Sequence, residues 1–386
     1  MIQLMHEWLK QNEGWIIETR RLFHQFPELS RKEFATNQRI RKILTEHNID
    51  YLAPENNITI AIVGKKGDQT IAFRCDTDAL NIVENTGLSF ASKNHGVMHA
   101  CGHDAHIAIG LAAVCCLKHF EDKLSKRIFV IFQPAEEGAR GAQAVIDTGL
   151  LHNVKQFYAL HVWPDLPVGT IGLKAGSFFS GTDKITIRLR GKSGHAAVPD
   201  SAQDTIAATG ALIQSLQHIV SRFISPKDAG VITIGRIDAG NRWNIIADTS
   251  LIEGTVRVVE PNVRKNMLEA IEEMTQLIAK AHRCESEFQL DVLSSIIIND
   301  ELETKQASEA ALLADIKAKQ VPPQMVGDDF AEYRQIAPGC YVLLGAQSDD
   351  GSYYPLHHGK FSVNERALYH GAAWFCSLAL MKKNEN

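Results

Sequence analysis

Asp183-Lys184-Ile185-Thr186-Ile187-Arg188-Leu189-Arg190 alternates polar and apolar residues, the two-residue period of a strand with one face buried. The segments downstream of this run decide the fold. A helix is expected over residues 204–223, strands over 231–237 and 250–259, a second helix over 264–282 entered through Pro261, and a last strand over 286–293. The order β-α-β-β-α-β is the ferredoxin-like arrangement, which closes on itself as a small domain. We place this domain at residues 183–295.

The texture changes on both sides of it. Helical spacing of apolar residues marks 15–26, which ends before Pro27, and 33–44. Strand-like runs come next at 58–63, 70–75 and 127–133, with an Ala/Leu-rich helix expected over 106–120 between the last two. Beyond the small domain, 301–319 reads as a helix and 340–344 as a short buried strand. Strands alternating with helices predict an α/β domain whose sheet is covered on both faces. Residues 1–182 and 296–386 are thus expected to form one discontinuous α/β domain, interrupted by the ferredoxin-like insert. Two domains also suit 386 residues, which exceed one comfortable core.

Composition narrows the function classes. The net charge is −5 and no Lys/Arg-rich run occurs, so the basic footprint of a nucleic-acid binder is missing. Seven scattered cysteines outline no disulfide framework and fit a reducing compartment. His6, Glu7 and Lys10 interrupt the first thirteen residues, which therefore do not read as a signal peptide. No stretch approaches the ~20 apolar residues of a membrane span. A soluble cytoplasmic protein with no membrane partner is expected.

The chemistry concentrates in His99-Ala100-Cys101-Gly102-His103-Asp104-Ala105-His106, where a thiol, three imidazoles and a carboxylate share eight positions. Those are the ligand types that zinc and similar divalent metals select. Gln133-Pro134-Ala135-Glu136-Glu137-Gly138 places two adjacent carboxylates just after an apolar strand, where α/β sheets hold their ligands. Adjacent carboxylates repel unless a cation or a shared proton neutralises them, though on a solvated helix start they would be unremarkable. Neighbours in an extended chain point different ways, so two roles are natural, one metal ligand and one base. His161 ends another apolar run, and His357 and His358 come after the strand at 340–344. A lone histidine in such a place is more often structural. The weight lies in the sum, because the ends of these runs converge in an α/β sheet. In the insert, His195 stands in the turn Gly191-Lys192-Ser193-Gly194-His195, Asn244 sits among apolar residues, and Arg257 has the planar fork that pairs a carboxylate. No dinucleotide fingerprint, phosphate loop or Gly-x-Ser-x-Gly elbow is present, which counts against a dehydrogenase, kinase or serine hydrolase.

Taken together, Arg74-Cys75-Asp76-Thr77-Asp78-Ala79-Leu80, Cys101-Gly102-His103-Asp104, Glu136-Glu137, Leu160-His161-Val162-Trp163-Pro164, Gly194-His195-Ala196-Ala197-Val198-Pro199, Gly327-Asp328-Asp329-Phe330 and Leu356-His357-His358 form an ordered set. The chain resembles the hippurate hydrolase and indole-acetyl-amino-acid hydrolase branch of the metal-dependent aminoacylase/carboxypeptidase superfamily, from about Phe23 onward. The resemblance implies a two-metal α/β catalytic domain with a mixed sheet, and an inserted ferredoxin-like lid that makes a homodimer. It implies a bridging Cys101 thiolate, with His103, Glu137, His161 and His357, counted back from Asn364, completing sites for two divalent ions. Zinc or manganese is expected, with cobalt and nickel as alternatives.

By the same resemblance Glu136 matches the general base, His195 and Asn244 match lid residues that reach a partner subunit's active site, and Arg257 matches a carboxylate-binding arginine. Asp76 is expected to orient a metal ligand. The substrate implied is an N-acyl amino acid, with a dipeptide or an N-acetyl-diaminopimelate-type intermediate as alternatives, and a metal-dependent binding protein as the non-enzyme alternative. The chain departs from the family in having Asn81 and Ala247 where proline is common, and Asp328 where Glu is common.

Overall fold

The computed structural model describes residues 1–55, 57–65, 70–138 and 140–381. Contacts divide the chain into two compact units: residues 1–176, 298–322 and 329–386 form the first, and residues 177–297 and 323–328 the second.

The first unit begins with helices α1 (Ile2–Gln11), α2 (Glu13–Gln25) and α3 (Phe34–Glu46), then strands β1 (Asp50–Leu52), β2 (Thr59–Val63) and β3 (Thr70–Asp76). Helix α4 (His103–His119), β4 (Arg127–Gln133), α5 (Gly141–Asp147), β5 (Val154–Trp163) and β6 (Thr170–Leu173) come next. Short β7 (Gly176–Phe179) leads into the second unit, made of β8 (Gly181–Arg190), β9 (Gly194–His195), α6 (Thr205–His218), β10 (Gly230–Ala239), β11 (Ile245–Ile246), β12 (Thr249–Val258), α7 (Pro261–Ala281) and β13 (Glu285–Ser294). The chain leaves through β14 (Ile297–Asn299) and completes the first unit with α8 (Glu301–Leu313), β15 (Lys317–Gln320), β16 (Gly339–Gly345) and α9 (Arg366–Leu380).

An eight-stranded mixed sheet in the order β1-β2-β4-β3-β5-β16-β6-β15 carries the first unit. Strands β4, β3, β5 and β16 are mutually parallel along this order, so their carboxyl ends open on one side. Every residue of β3 and β16 is buried, including Arg74 and Asp76 of β3, which pair with each other. Helix α4 is buried along nearly its whole length and packs against α9, with Ile109, Ala113 and Phe375 in one core.

In the second unit β10-β12-β8-β13 form an antiparallel sheet, with α6 and α7 adding Leu212, Leu216, Met267 and Ile271 to its core. This is the expected ferredoxin-like order, and the opening octapeptide buries Ile185, Ile187 and Leu189 as its alternation requires. Pro261 occupies the first position of α7, where its missing N–H costs nothing, and the Asp204 carboxylate caps α6 by accepting from Ile206 and Ala207 N–H.

Two elements differ from expectation. The helix expected to reach Lys319 stops at Leu313, because Asp315 adopts a left-handed φ of 54° and residues 317–320 pair in parallel with β6. Backbone pairing overrides the helical propensity of that segment. Helix α4 begins at His103, one turn earlier than expected, because Gly102 turns the chain at φ 87°. A Cβ there would lie 2.4 Å from Val162 Cγ2, so only glycine fits.

Candidate metal and catalytic site

The parallel strands place the chemistry. Asp76 ends β3, Glu136 and Glu137 lie in the turn after β4, and His161 stands two residues before the end of β5. Cys101 and His103 enter at the start of α4. Cys101 Sγ lies 3.4 Å from His161 Nε2. Ligand atoms of Cys101, His103 and His161 lie within 4.8 Å of one another, as do those of Cys101, Glu137 and His357, and those of His103, Glu136 and Glu137. The thiol is common to the first two groups.

The imidazoles are oriented from behind. His103 Nδ1 bonds the Asp78 carbonyl oxygen at 2.9 Å, and its Nε2 is buried with no hydrogen bond, 3.6 Å from Asp76 Oδ2. His161 Nδ1 bonds the Val162 carbonyl oxygen at 2.8 Å. In each ring the Nδ1–H donated to a carbonyl fixes the orientation and points Nε2 at the cluster, the direction a metal ligand needs. Burial and the neighbouring His106 hold the His161 ring far below its usual pKa, and therefore neutral. Burial works the same way on His103, but Asp76 and Asp78 outweigh it and raise the ring to about 10. The Cys101 thiol is pushed well up by burial and by the Glu137 and Glu136 carboxylates.

This donor set fits divalent cations. Thiol, carboxylates and imidazole nitrogens crowd together, and the buried His103 Nε2 lacks a hydrogen bond, a place a cation would take in exchange for the ring's second proton.

His357 and His358 differ clearly. His357 Nε2 is 3.1 Å from Glu137 Oε1, and its own N–H donates to the Ala100 carbonyl, which ties the segment to the Cys101 loop. His358 instead accepts the Lys360 N–H at Nδ1 and stacks on Tyr354. His106, the third imidazole of the octapeptide, is fully engaged: Nδ1 is 2.5 Å from Asp76 Oδ1, and Nε2 accepts the Val162 N–H at 3.0 Å.

Three supporting residues were not legible as such. Asp78 accepts the N–H groups of Glu136 and Glu137 at 3.1 and 3.0 Å and so holds the turn between the two carboxylates, while its backbone orients His103. Its hydroxyl partner is Ser30, at 2.5 Å. Asp329 joins the ends of β3 and β4, accepting from Arg74 Nη2 at 2.9 Å and Gln133 Nε2 at 2.8 Å. Asp104 is clamped by Arg20 and His24 at 2.9 Å each, which fixes the first turn of α4. In the sequence Asp78 stands out only as a member of the Arg74–Leu80 motif, with no role attached.

The remaining predicted residues belong to the second unit. His195 and Ile245 face each other on the two-stranded β9–β11 ladder, and Ala196 N–H donates to the Asn244 carbonyl, so His195 and Asn244 are neighbours. His195 is exposed, and its Nδ1 accepts the Ala197 N–H at 3.1 Å. A neutral ring then carries its proton on Nε2, which is a donor. Asn244 Oδ1 is buried without a hydrogen bond. Arg257 lies on β12, and its Nη1 donates to the Thr182 hydroxyl on β8; burial lowers its pKa against the pull of Asp183.

Comparison with known proteins identifies the family. Residues 72–381 match the peptidase family M20/M25/M40. The N-acetyl-L-cysteine deacetylase of Bacillus subtilis is 38% identical over 358 residues, covering 92% of this chain and 85% of that protein. The N-acetyldiaminopimelate deacetylase of the same organism is 37% identical over 362 residues, covering 92% and 94%. In crystal structure, the Bacillus subtilis YXEP protein, a dinuclear metal binding peptidase from the M20 family, superposes with a TM-score of 0.86 at 35% identity over 96% of this chain and 98% of that one. A chain whose Cys/His/Glu cluster stands at these strand ends, and which shares this fold and more than a third of its residues with such relatives, belongs to peptidase family M20/M25/M40.

Proposed function

We propose that the chain is a metal-dependent amidohydrolase that removes the acyl group from N-acyl amino acids, and that its physiological substrate carries a short acyl group such as acetyl. The observation that carries the reading is the convergence of Cys101, His103, Glu137 and His161 beside a second carboxylate, Glu136. A binding protein needs ligands but no spare base, so Glu136 favours catalysis over mere metal capture. Relatives named for deacetylation of N-acetylcysteine and N-acetyldiaminopimelate support the short acyl group.

Cys101, His103, Glu137, His161 and His357 would hold two divalent ions, which supply a water of lowered pKa and polarise the amide carbonyl. Glu136 takes the proton of the attacking water and returns it to the leaving amine nitrogen, acting as base and then as acid. His195 offers its Nε2–H to the oxyanion, and a donor aimed there commonly contributes ~3 kcal/mol. Arg257 pairs the free carboxylate of the amino acid, and Asn244 adds an amide contact. His195 and Asn244 serve the active site of a second copy, so the working unit is a homodimer through the inserted domain. We place it in the cytoplasm; among the described residues no helix is long and apolar enough to cross a membrane.

The test is a panel of N-acetylcysteine, N-acetyl-diaminopimelate, hippurate and dipeptides, assayed for released amine. Prolonged chelation should abolish turnover, and zinc, manganese or cobalt should restore it. Full activity in protein shown by elemental analysis to be metal-free ends the reading; hippurate as the best substrate ends the short-acyl part of it.

A further inference from the structure

Glu33 stands at the start of α3 and is completely buried. Its Oε1 accepts two backbone N–H groups at 2.9 Å, those of Arg31 and Ala135. Both donors belong to residues in the left-handed region, at φ 66° and 56°, which a side chain other than glycine rarely adopts. Ala135 directly precedes Glu136. The segment from Pro134 to Gly138 leaves β4 with little room: a Cβ on Gly138 would lie 2.6 Å from Ser30 Cβ, and one on Gly141 would lie 1.9 Å from the Pro134 carbonyl oxygen. Two buried carboxylates therefore grip one turn, Asp78 at the N–H groups of Glu136 and Glu137, and Glu33 one residue earlier.

Asp78 also backs His103, so its loss would disturb the metal ligands. Glu33 makes no hydrogen bond to any of them, and its second oxygen, Oε2, is buried without one. A carboxylate so placed loses solvation, and its one evident effect is to hold the strained conformation of Arg31 and Ala135. We infer that Glu33 is a positioning residue for the general base: by holding the Ala135 N–H it fixes the direction from which Glu136 leaves the turn, and hence the reach of its carboxylate. The inference rests on the proposed role of Glu136 as that base. Burial raises the Glu33 carboxyl to about 7, and in either protonation state an oxygen faces the Arg31 and Ala135 N–H groups as acceptor.

The atom that matters is thus an oxygen acceptor rather than a charge, and this separates the variants. Glu33→Gln keeps an acceptor oxygen; Glu33→Met keeps the volume and loses the acceptor; Glu33→Ala loses both. With full-length, metal-loaded protein, kcat should fall by about 100-fold in Glu33→Met, the scale on which a displacement of about 1 Å acts. KM and bound metal should stay at the wild-type values, and Glu33→Gln should recover kcat to within about threefold. Amide exchange of the 134–138 segment, read without any substrate, should accelerate in Glu33→Met and Glu33→Ala but not in Glu33→Gln. Wild-type kcat in folded Glu33→Met, metal loss in step with the loss of kcat, or a Glu33→Gln variant as slow as Glu33→Met would each overturn the inference. If no variant but Glu33→Gln folds, unaltered exchange at Ala135 with wild-type kcat upholds the acceptor role, and accelerated exchange rejects it. A wild type that hydrolyses no N-acyl amino acid would overturn the proposed function instead, whatever the exchange shows.

Discussion

The Cys101 cluster and the His195–Asn244 ladder are built on opposite principles. In the cluster three imidazoles have a buried partner behind them: the Asp78 carbonyl for His103, the Val162 carbonyl for His161, Asp76 for His106. The ladder has two strands of two residues each, His195 lies exposed on it, and its support is a single backbone N–H. The first region is organised before any ligand arrives. The second is organised only in its backbone and by one N–H at the ring. Preorganisation in a dry setting makes each interaction stronger and each loss larger.

The largest effect should come from the buried side of this comparison. Glu136→Gln is expected to lower kcat by about 10³-fold or more while two metals remain bound, because a base alone commonly contributes 10²–10⁴-fold. Glu137→Gln should lose metal as well as turnover. Elemental analysis decides it, and metal loss that tracks Glu136 would reverse the two roles.

Next comes the exposed side. His195→Ala should cost about 10²–10³-fold in kcat with metal content unchanged, the scale of a lost oxyanion donor. Co-expressing Glu136→Ala with His195→Ala chains gives about half heterodimers, each with one intact site. Roughly a quarter of wild-type activity should return if His195 crosses to the partner's site. No rescue, with heterodimers verified by differential tags, would place His195 in its own chain's service.

Asp78→Ala should fall between the regions, since it loosens His103 and the Glu136–Glu137 turn together. About 10–100-fold weaker metal binding is expected, measured by competition with a chelator. Unchanged affinity would mean that the cluster does not depend on its backing.

The smallest effect concerns pH. Glu33 has its folded pKa raised from 4.5 to about 7, chiefly by burial and then by Asp78. The native state holds that proton more tightly than the unfolded chain, so this contribution to stability is complete below pH 4.5 and is lost as pH rises through about 7. The stability difference between wild type and Glu33→Gln should therefore shift against the wild type over that window. A difference that is flat with pH would show Glu33 ionised in the fold.

Much of this was legible in the sequence, and for a physical reason. Glu136, Glu137 and His161 sit at the ends of apolar runs that become buried parallel strands whose ends converge, and Cys101 and His103 sit at the start of the apolar helix α4. The period-two run from Asp183 marked the second sheet in the same way. What escaped depends on contacts between distant segments. Glu33 has ordinary surroundings in the chain and Asp78 appears there only within the Arg74–Leu80 motif, without a role; the roles arise when residues 28–33 and 134–138 meet beside β3 and β4. The edge strand β15 hides in a helical pattern because β6, far away in sequence, supplies its partner. Residues 323–328 join the second unit with no pattern of their own to announce it.

The sheet order carries a consequence for how the protein is made. Strands β5 and β6 are consecutive in the chain, yet β16 lies between them and pairs with both. Until β16 leaves the ribosome, β5 has an open apolar edge and β6 has no neighbour on that side. Roughly 170 residues separate the end of β6 from the end of β16, and at about 5–20 residues per second the wait lasts on the order of ten to thirty seconds. The second unit is translated within that interval and has its own core, so it can fold while the first remains unfinished. A nascent chain arrested after β13 should accordingly protect the β8–β13 region from protease, yet expose β5 as a binding site for chaperones until the late strand fills the gap.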